Sequence, residues 1–137
     1  MPYGKFRAEV LTPEGKVFDD EVEMVSTRTT IGSIGLLAHH EPVLAMLEPT
    51  DLRLYRSDSD IVRFAQAEGY LQVANNRALL LVQEAFAPEQ LDAAQLRDRL
   101  GEAERRIESA EAGSEQARLA ERDRRRWQRF LEIAEAG

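Results

Sequence analysis

The hydrophobic period of the chain changes once, at Pro88, and that change dictates a two-part fold. Up to Pro88 apolar residues recur at every second position in short segments, and all five prolines lie in this stretch. Beyond it apolar residues step by three and four. A period of two puts alternate side chains on opposite faces of a strand, whereas three-four stepping paints one stripe on a helix. The pattern predicts an all-β N-terminal sandwich over residues 1–86 and a C-terminal α-helical hairpin over residues 87–137.

Phe6, Ala8 and Val10 alternate with Lys5, Arg7 and Glu9, giving one apolar and one wet face. Pro13, Glu14 and Gly15 end this strand in a turn. A short strand at Val17 and Phe18 follows, then one over residues 22–27 with Val22 and Met24 on one face. Leu52 and Leu54 mark another, and residues 57–60, Ser-Asp-Ser-Asp, form a turn. Segments 61–67, 70–73 and 78–85 complete the set, the last two joined by an Asn75–Asn76 hairpin turn. Short strands with a turn every ten residues or so describe a sandwich or barrel.

In the second part Leu96, Leu100, Ala103, Ile107 and Ala110 form one seam. Gly113 breaks it, and Ser114 suits the N-cap of the next helix. Ala117, Ala120, Trp127, Leu131 and Ala134 form the second seam, interrupted by Arg124. Two helices with so short a break make an αα-hairpin. Seams this rich in alanine bury little area, so the hairpin is expected to open easily.

Composition removes several function classes. There is no cysteine, hence no disulfide framework, thiolate metal site or cysteine nucleophile. A net charge of −7 argues against nucleic-acid binding through phosphate contacts. The first ten residues lack the apolar run of a signal peptide. The longest apolar runs, residues 78–82 and the equally long 43–47, are far too short to span a bilayer, so any membrane association is expected to go through a partner. The serines lack a nucleophile-elbow context, and Gly32 and Gly35 are followed by no lysine and no helix start, unlike a phosphate loop. These glycines suit turn positions of positive φ. His39 and His40, neighbours on an extended chain, point apart and do not make a metal site. No catalytic residue, cofactor site or metal site is expected.

Two charge patterns stand out. Glu102 with Arg106 and Glu121 with Arg125 are spaced for intrahelical ion pairs. At about 100° per residue, Arg122, Arg125, Arg126 and Arg129 share one stripe, away from the face of Ala120, Trp127 and Leu131. A solvated helix face accounts for such a stripe; so does a contact with an acidic partner.

Residues 32–44, Gly-Ser-Ile-Gly-Leu-Leu-Ala-His-His-Glu-Pro-Val-Leu, resemble the signature of the epsilon subunit of F-type ATP synthases, usually G-E-L-G-I-L-P-G-H-x-P-L-L. Further blocks agree in order: Leu11 to Gly15, Val17–Phe18, Val22 to Val25, Gly69 to Val73, Asn76 to Val82, and Leu91–Asp92. The resemblance covers essentially the whole chain. Ser33 replaces the usual Glu, Ala38–His39 the usual Pro-Gly, and Glu68 the first Gly of the later block.

The resemblance implies a non-catalytic rotor subunit of a proton-translocating ATP synthase, peripheral at the cytoplasmic face of a bacterial membrane. Its sandwich would bind the gamma subunit and the c-ring, with Gly32, Ser33, Gly35, His40 and Pro42 as rotor interface. Its hairpin would extend toward the alpha and beta subunits and inhibit ATP hydrolysis, with Arg122, Arg125, Arg126 and Arg129 as contacts. Some members bind ATP through I/L-D-x-x-R-A at the start of the hairpin. Here Leu91–Asp92 match, but Gln95 stands for the arginine and Leu96 for the alanine, so ATP binding is expected to be weak. The rival reading is a free-standing β-sandwich that binds a small ligand and dimerises through its helical tail. Gene neighbourhood or co-purification with gamma separates the two.

Overall fold

Alternating burial organises the first part of the chain into strands, and the computed structural model describes them within residues 4–136. The strands are β1 Phe6–Thr12, β2 Gly15–Val22, β3 Met24–Thr29, β4 Gly32–Leu36, β5 Val43–Leu47, β6 Thr50–Tyr55, β7 Ile61–Gln66, β8 Gly69–Ala74, β9 Arg77–Val82 and β10 Ala85–Phe86. A single-turn 3₁₀ segment, Pro88–Gln90, leads into α1 Ala93–Ser109 and α2 Glu115–Ala136. The chain separates into two compact units, residues 1–87 and 88–137.

In the first unit the strands form one ten-stranded sheet of order β10-β7-β6-β3-β5-β8-β9-β1-β2, with β4 on β3. Pairing is antiparallel except between β1 and β9. The sheet folds over a core that includes Phe6, Val10, Val22, Leu36, Leu52, Leu54, Leu71 and Leu80.

Two corners let one sheet become two layers. At the first, β3 changes partner: Met24 to Ser26 pair with β6, whereas Thr29 pairs with Leu47 of β5. Thr27 sits between, buried, and its hydroxyl donates to Gln66 Oε1 at 2.6 Å. Gln66 Nε2 donates to the carbonyls of Glu48 at 2.9 Å and Ala67 at 3.1 Å. The buried amide is satisfied on both sides, as a polar group in a core must be. At the second corner β7 runs into β8 while β9 runs into β10. There an added Cβ on Gly69 would lie 2.0 Å from the carbonyl oxygen of Leu81, so only glycine fits.

The structure revises several expectations. The second strand is long, and the predicted 22–27 strand is split: Val22 closes β2, and Glu23 turns out to donate its N–H to Tyr55 O at 2.7 Å before β3 begins. The Asn75–Asn76 turn forms as expected, with φ of 53° and 59°, the pairing of left-handed residues that a type I′ hairpin needs.

In the second unit Asp92 caps α1 by accepting the N–H of Gln95. Ser114 Oγ accepts the N–H of Ala117 at 3.1 Å and starts α2 as expected. Leu96 and Ala103 of α1 and Ala120 and Leu131 of α2 are buried. Phe130 and Ile133 are buried too, so α2 covers an arc wider than one three-four stripe. The expected intrahelical pairs are replaced. Arg106 reaches Asp123 across the helices at 2.7 Å, and Glu121 pairs with Arg124. A carboxylate only 18% exposed gains more from a guanidinium than Glu102 would in open solvent.

Candidate functional site

Strand register assembles an apolar surface on the outer face of the sandwich. Val10, Leu71 and Leu80 point inward, so their neighbours point out. Met46 of β5 lies opposite Tyr70 of β8, Tyr70 opposite Leu81 of β9, and Leu81 opposite Leu11 of β1. Met46 is 56% exposed, Tyr70 55%, Leu81 44%, and nearby Leu44 78%. A run of large apolar side chains on one wet sheet face marks a docking surface rather than scattered exposure. The sequence analysis missed these residues. The available signal was the unbroken run Ala78 to Val82, because a strand apolar on both sides is a strand covered on both sides.

The 32–44 motif is not one loop. It comprises β4, a turn, and the start of β5. Gly32 has φ of 131° and needs to be glycine, but Gly35 lies within β4 opposite Ser26, outside the positive-φ region, with open space around its Cβ position. Strand geometry separates the ends of β4 by roughly 15 Å. The five candidate residues therefore divide. Gly32 and Ser33 lie at the β3–β4 tip, beside the fully exposed Ile31, with Thr30 N–H donating to Met46 O at 3.0 Å. His40 and Pro42 lie at the opposite end. The pattern failed here because glycine-rich spacing reads as turn even where the chain is extended.

In the far turn His40 N–H donates to Leu37 O at 3.2 Å, and His39 holds φ of 62°. A positive φ at the third position is what a Pro-Gly turn supplies. His39 thus keeps the backbone shape of the glycine it replaces. Its N–H donates to Asn76 Oδ1 at 2.8 Å, and Asn76 Nδ2 donates to Lys5 O at 3.2 Å, which ties the turn to the β8–β9 hairpin.

Beside the apolar row runs a charged network. Arg7 and Lys16 both bond to Asp19, at 2.6 Å and 2.9 Å, and hold its carboxyl at about 2. Arg77 and Lys16 lower Glu9 in the same way. These contacts orient the β1–β2 edge.

On α2 the four arginines do not form one solvent-facing stripe. Arg125 is exposed, and Arg122 and Arg129 are half-buried. Arg126 is buried, with its guanidinium 5.3 Å from the centre of the Trp127 ring. Arg126 borders Phe130 and Ile133 on the helix wheel, and the buried arc takes it in. Arg122 bonds to Asp123 at 3.1 Å and Arg129 to Glu132 at 3.2 Å. Burial raises the Asp123 carboxyl, but hydrogen bonds from Arg106 and Arg122 outweigh it and the net direction is down. At the start of α1, Asp92 is occupied as a cap, and Arg97 is paired with Glu135 at 2.9 Å. Among the described residues no His, Asp and Glu cluster has the geometry of a metal site, and no helix is long and apolar enough to cross a membrane.

Fold and surface together define a two-part adaptor: a sandwich with an apolar outer face, followed by an arginine-rich helical hairpin. The family model for the β-sandwich domain of the ATP synthase delta/epsilon chain matches residues 5–88. The ATP synthase epsilon chain of a Sulfurihydrogenibium species is 30% identical over 96% of this chain and 98% of its own length. That of Persephonella marina is 34% identical over 92% of this chain and 93% of its own. A chain in the cryo-EM structure of Euglena gracilis mitochondrial ATP synthase shares the fold at a TM-score of 0.76 and 21% identity, over 99% of this chain and 82% of that one. The chain belongs to the ATP synthase epsilon-chain family.

Proposed function

We propose that this chain is a non-catalytic rotor subunit of an F-type ATP synthase that couples proton flow to ATP synthesis and restrains ATP hydrolysis through its helical hairpin. The observation that carries the coupling role is the exposed row Leu44, Met46, Tyr70 and Leu81, aligned across three strands. In this reading the row, with His40 and Pro42 at its edge, docks on the gamma subunit. Gly32, Ser33 and Gly35, with the β3–β4 tip, face the c-ring. The subunit sits peripherally at the cytoplasmic face of the membrane, held by the complex.

The hairpin is the mobile part. Arg122, Arg125, Arg126 and Arg129 meet acidic segments of the alpha and beta subunits when it extends, since a planar guanidinium pairs with carboxylates bidentately. With Gln95 in place of an arginine and Asp92 engaged as a cap, the isolated subunit binds ATP weakly.

Truncation after Ala87 tests both roles. Membranes carrying residues 1–87 should retain assembled complex and proton-coupled synthesis, and should hydrolyse ATP faster. Tyr70→Glu in the full chain should abolish co-purification with gamma. Retained co-purification sinks the docking face; an unchanged hydrolysis rate in the truncation sinks the inhibitory role.

A further inference from the structure

Trp127 is the only tryptophan of the chain, and it stands where the two helices meet. The guanidinium carbon of Arg99, on α1, lies 4.9 Å from the centre of the indole ring. Phe130 meets the same indole edge-on, at 6.0 Å and 74°. One aromatic side chain on α2 therefore meets a cation from α1, Arg99, as well as Arg126 and a ring of its own helix. At this distance the cation sits within the attractive field of the indole face.

The contact matters because α1 brings so little else to the seam. On α1 only Leu96 and Ala103 are buried. Arg97 and Glu135 bridge the helices too, but both are more than half exposed, where ion pairs contribute little. Arg106 and Asp123 bridge them nearer the connection, so separating the far ends leaves that pair the last to part.

We propose that the Arg99–Trp127 contact is the latch of the hairpin. Closed, the guanidinium covers the indole and α1 lies along α2. Open, the indole keeps only Arg126 of its own helix, 5.3 Å from the ring centre, and Arg99 joins the charge that the hairpin presents. The proposal rests on the reading that the extended hairpin is the inhibitory form. A latch then acts against inhibition, so weakening it lowers hydrolysis rather than raising it. Because Trp127 is the sole indole, the state of the latch is visible in the intrinsic fluorescence of the full chain.

The test compares Arg99→Gln, Arg99→Lys and, as a charge control, Arg105→Gln, an exposed α1 arginine. Loss of an exposed cation–π contact changes an equilibrium by about two- to five-fold. Arg99→Gln should shift the emission of the isolated full chain to the red and lower ATP hydrolysis by the assembled complex by about that factor. Arg99→Lys keeps a cation over the ring and should restore both. Arg105→Gln should match the unmodified protein in both. Unshifted emission in Arg99→Gln overturns the latch. So does an equal shift in Arg105→Gln, because the effect is then charge alone. If truncation after Ala87 leaves hydrolysis unchanged, the inhibitory reading fails, and emission alone decides the latch.

Discussion

The sandwich and the hairpin are held together in different ways. The sandwich joins residues far apart in sequence: β1 pairs with β9, β3 with β6, and Thr27 bonds to Gln66 across 39 residues. Its core is continuous, and every strand except the edges is fixed on both sides. The hairpin joins neighbours. Burying Leu96 contributes about 2 kcal/mol, and Gly101 in mid-helix costs about 1 kcal/mol against alanine. Guanidinium contacts to Asp123 and Trp127 add to this apolar burial in holding α1 to α2. A rotor mount needs the first kind of stability; an element that changes shape on the rotor needs the second.

Glycine separates the two regions most sharply. Gly69→Ala forces a Cβ into backbone at the second corner, where nothing flexible can yield. We expect a loss of about 3 kcal/mol in denaturant unfolding of the full chain, the upper range for overpacking. Gly101→Ala meets only the end of the Arg105 side chain, at 3.4 Å. It should stabilise the closed hairpin by about 1 kcal/mol, read as a higher midpoint for loss of helix in circular dichroism. If both substitutions cost stability to the same degree, the contrast between a clamped sheet and a loose helix pair is wrong.

The sequence revealed what has a period and concealed what depends on pairing. Phe6, Ala8 and Val10 gave away β1, and Asn75–Asn76 its type of turn, because both signals are local. The break at Glu23 left no mark, since Val22, Glu23, Met24 and Val25 carry no Gly or Pro. β4 was hidden by its own glycines. The docking row could not be assembled in advance, because Leu44, Tyr70 and Leu81 come together only through register. On α2, Phe130, Ile133 and Arg126 fell outside a stripe drawn for a single seam. The arginine partners were misjudged for the same reason: Arg106 has a better carboxylate across the hairpin than along its own helix.

Acid gives the finest test of the comparison. Asp19 in the sandwich and Asp123 in the hairpin both titrate below the ordinary 3.8, Asp19 at about 2. A carboxyl lowered on folding contributes stability that is complete above its unfolded value and is lost as pH falls through the folded one. Neither region should therefore change stability through these groups between about pH 7 and pH 5. Below 3.8 the two diverge in kind. Asp19 is open to solvent, and its loss loosens only an edge of a sheet held in many other ways. Asp123 joins α1 to α2, so its protonation weakens closure itself. Its partial exposure keeps the effect under about 1 kcal/mol. Helix melting followed from pH 5 down to about pH 3 should fall more for the unmodified chain than for Asp123→Asn, in which only Glu115, Glu121 and the other carboxyls still titrate. Carboxyl NMR titration supplies the decisive reading. An Asp123 midpoint above 3.8 would mean that burial outweighs Arg106 and Arg122, and the charged carboxylate would then oppose closure near neutral pH despite its ion pairs.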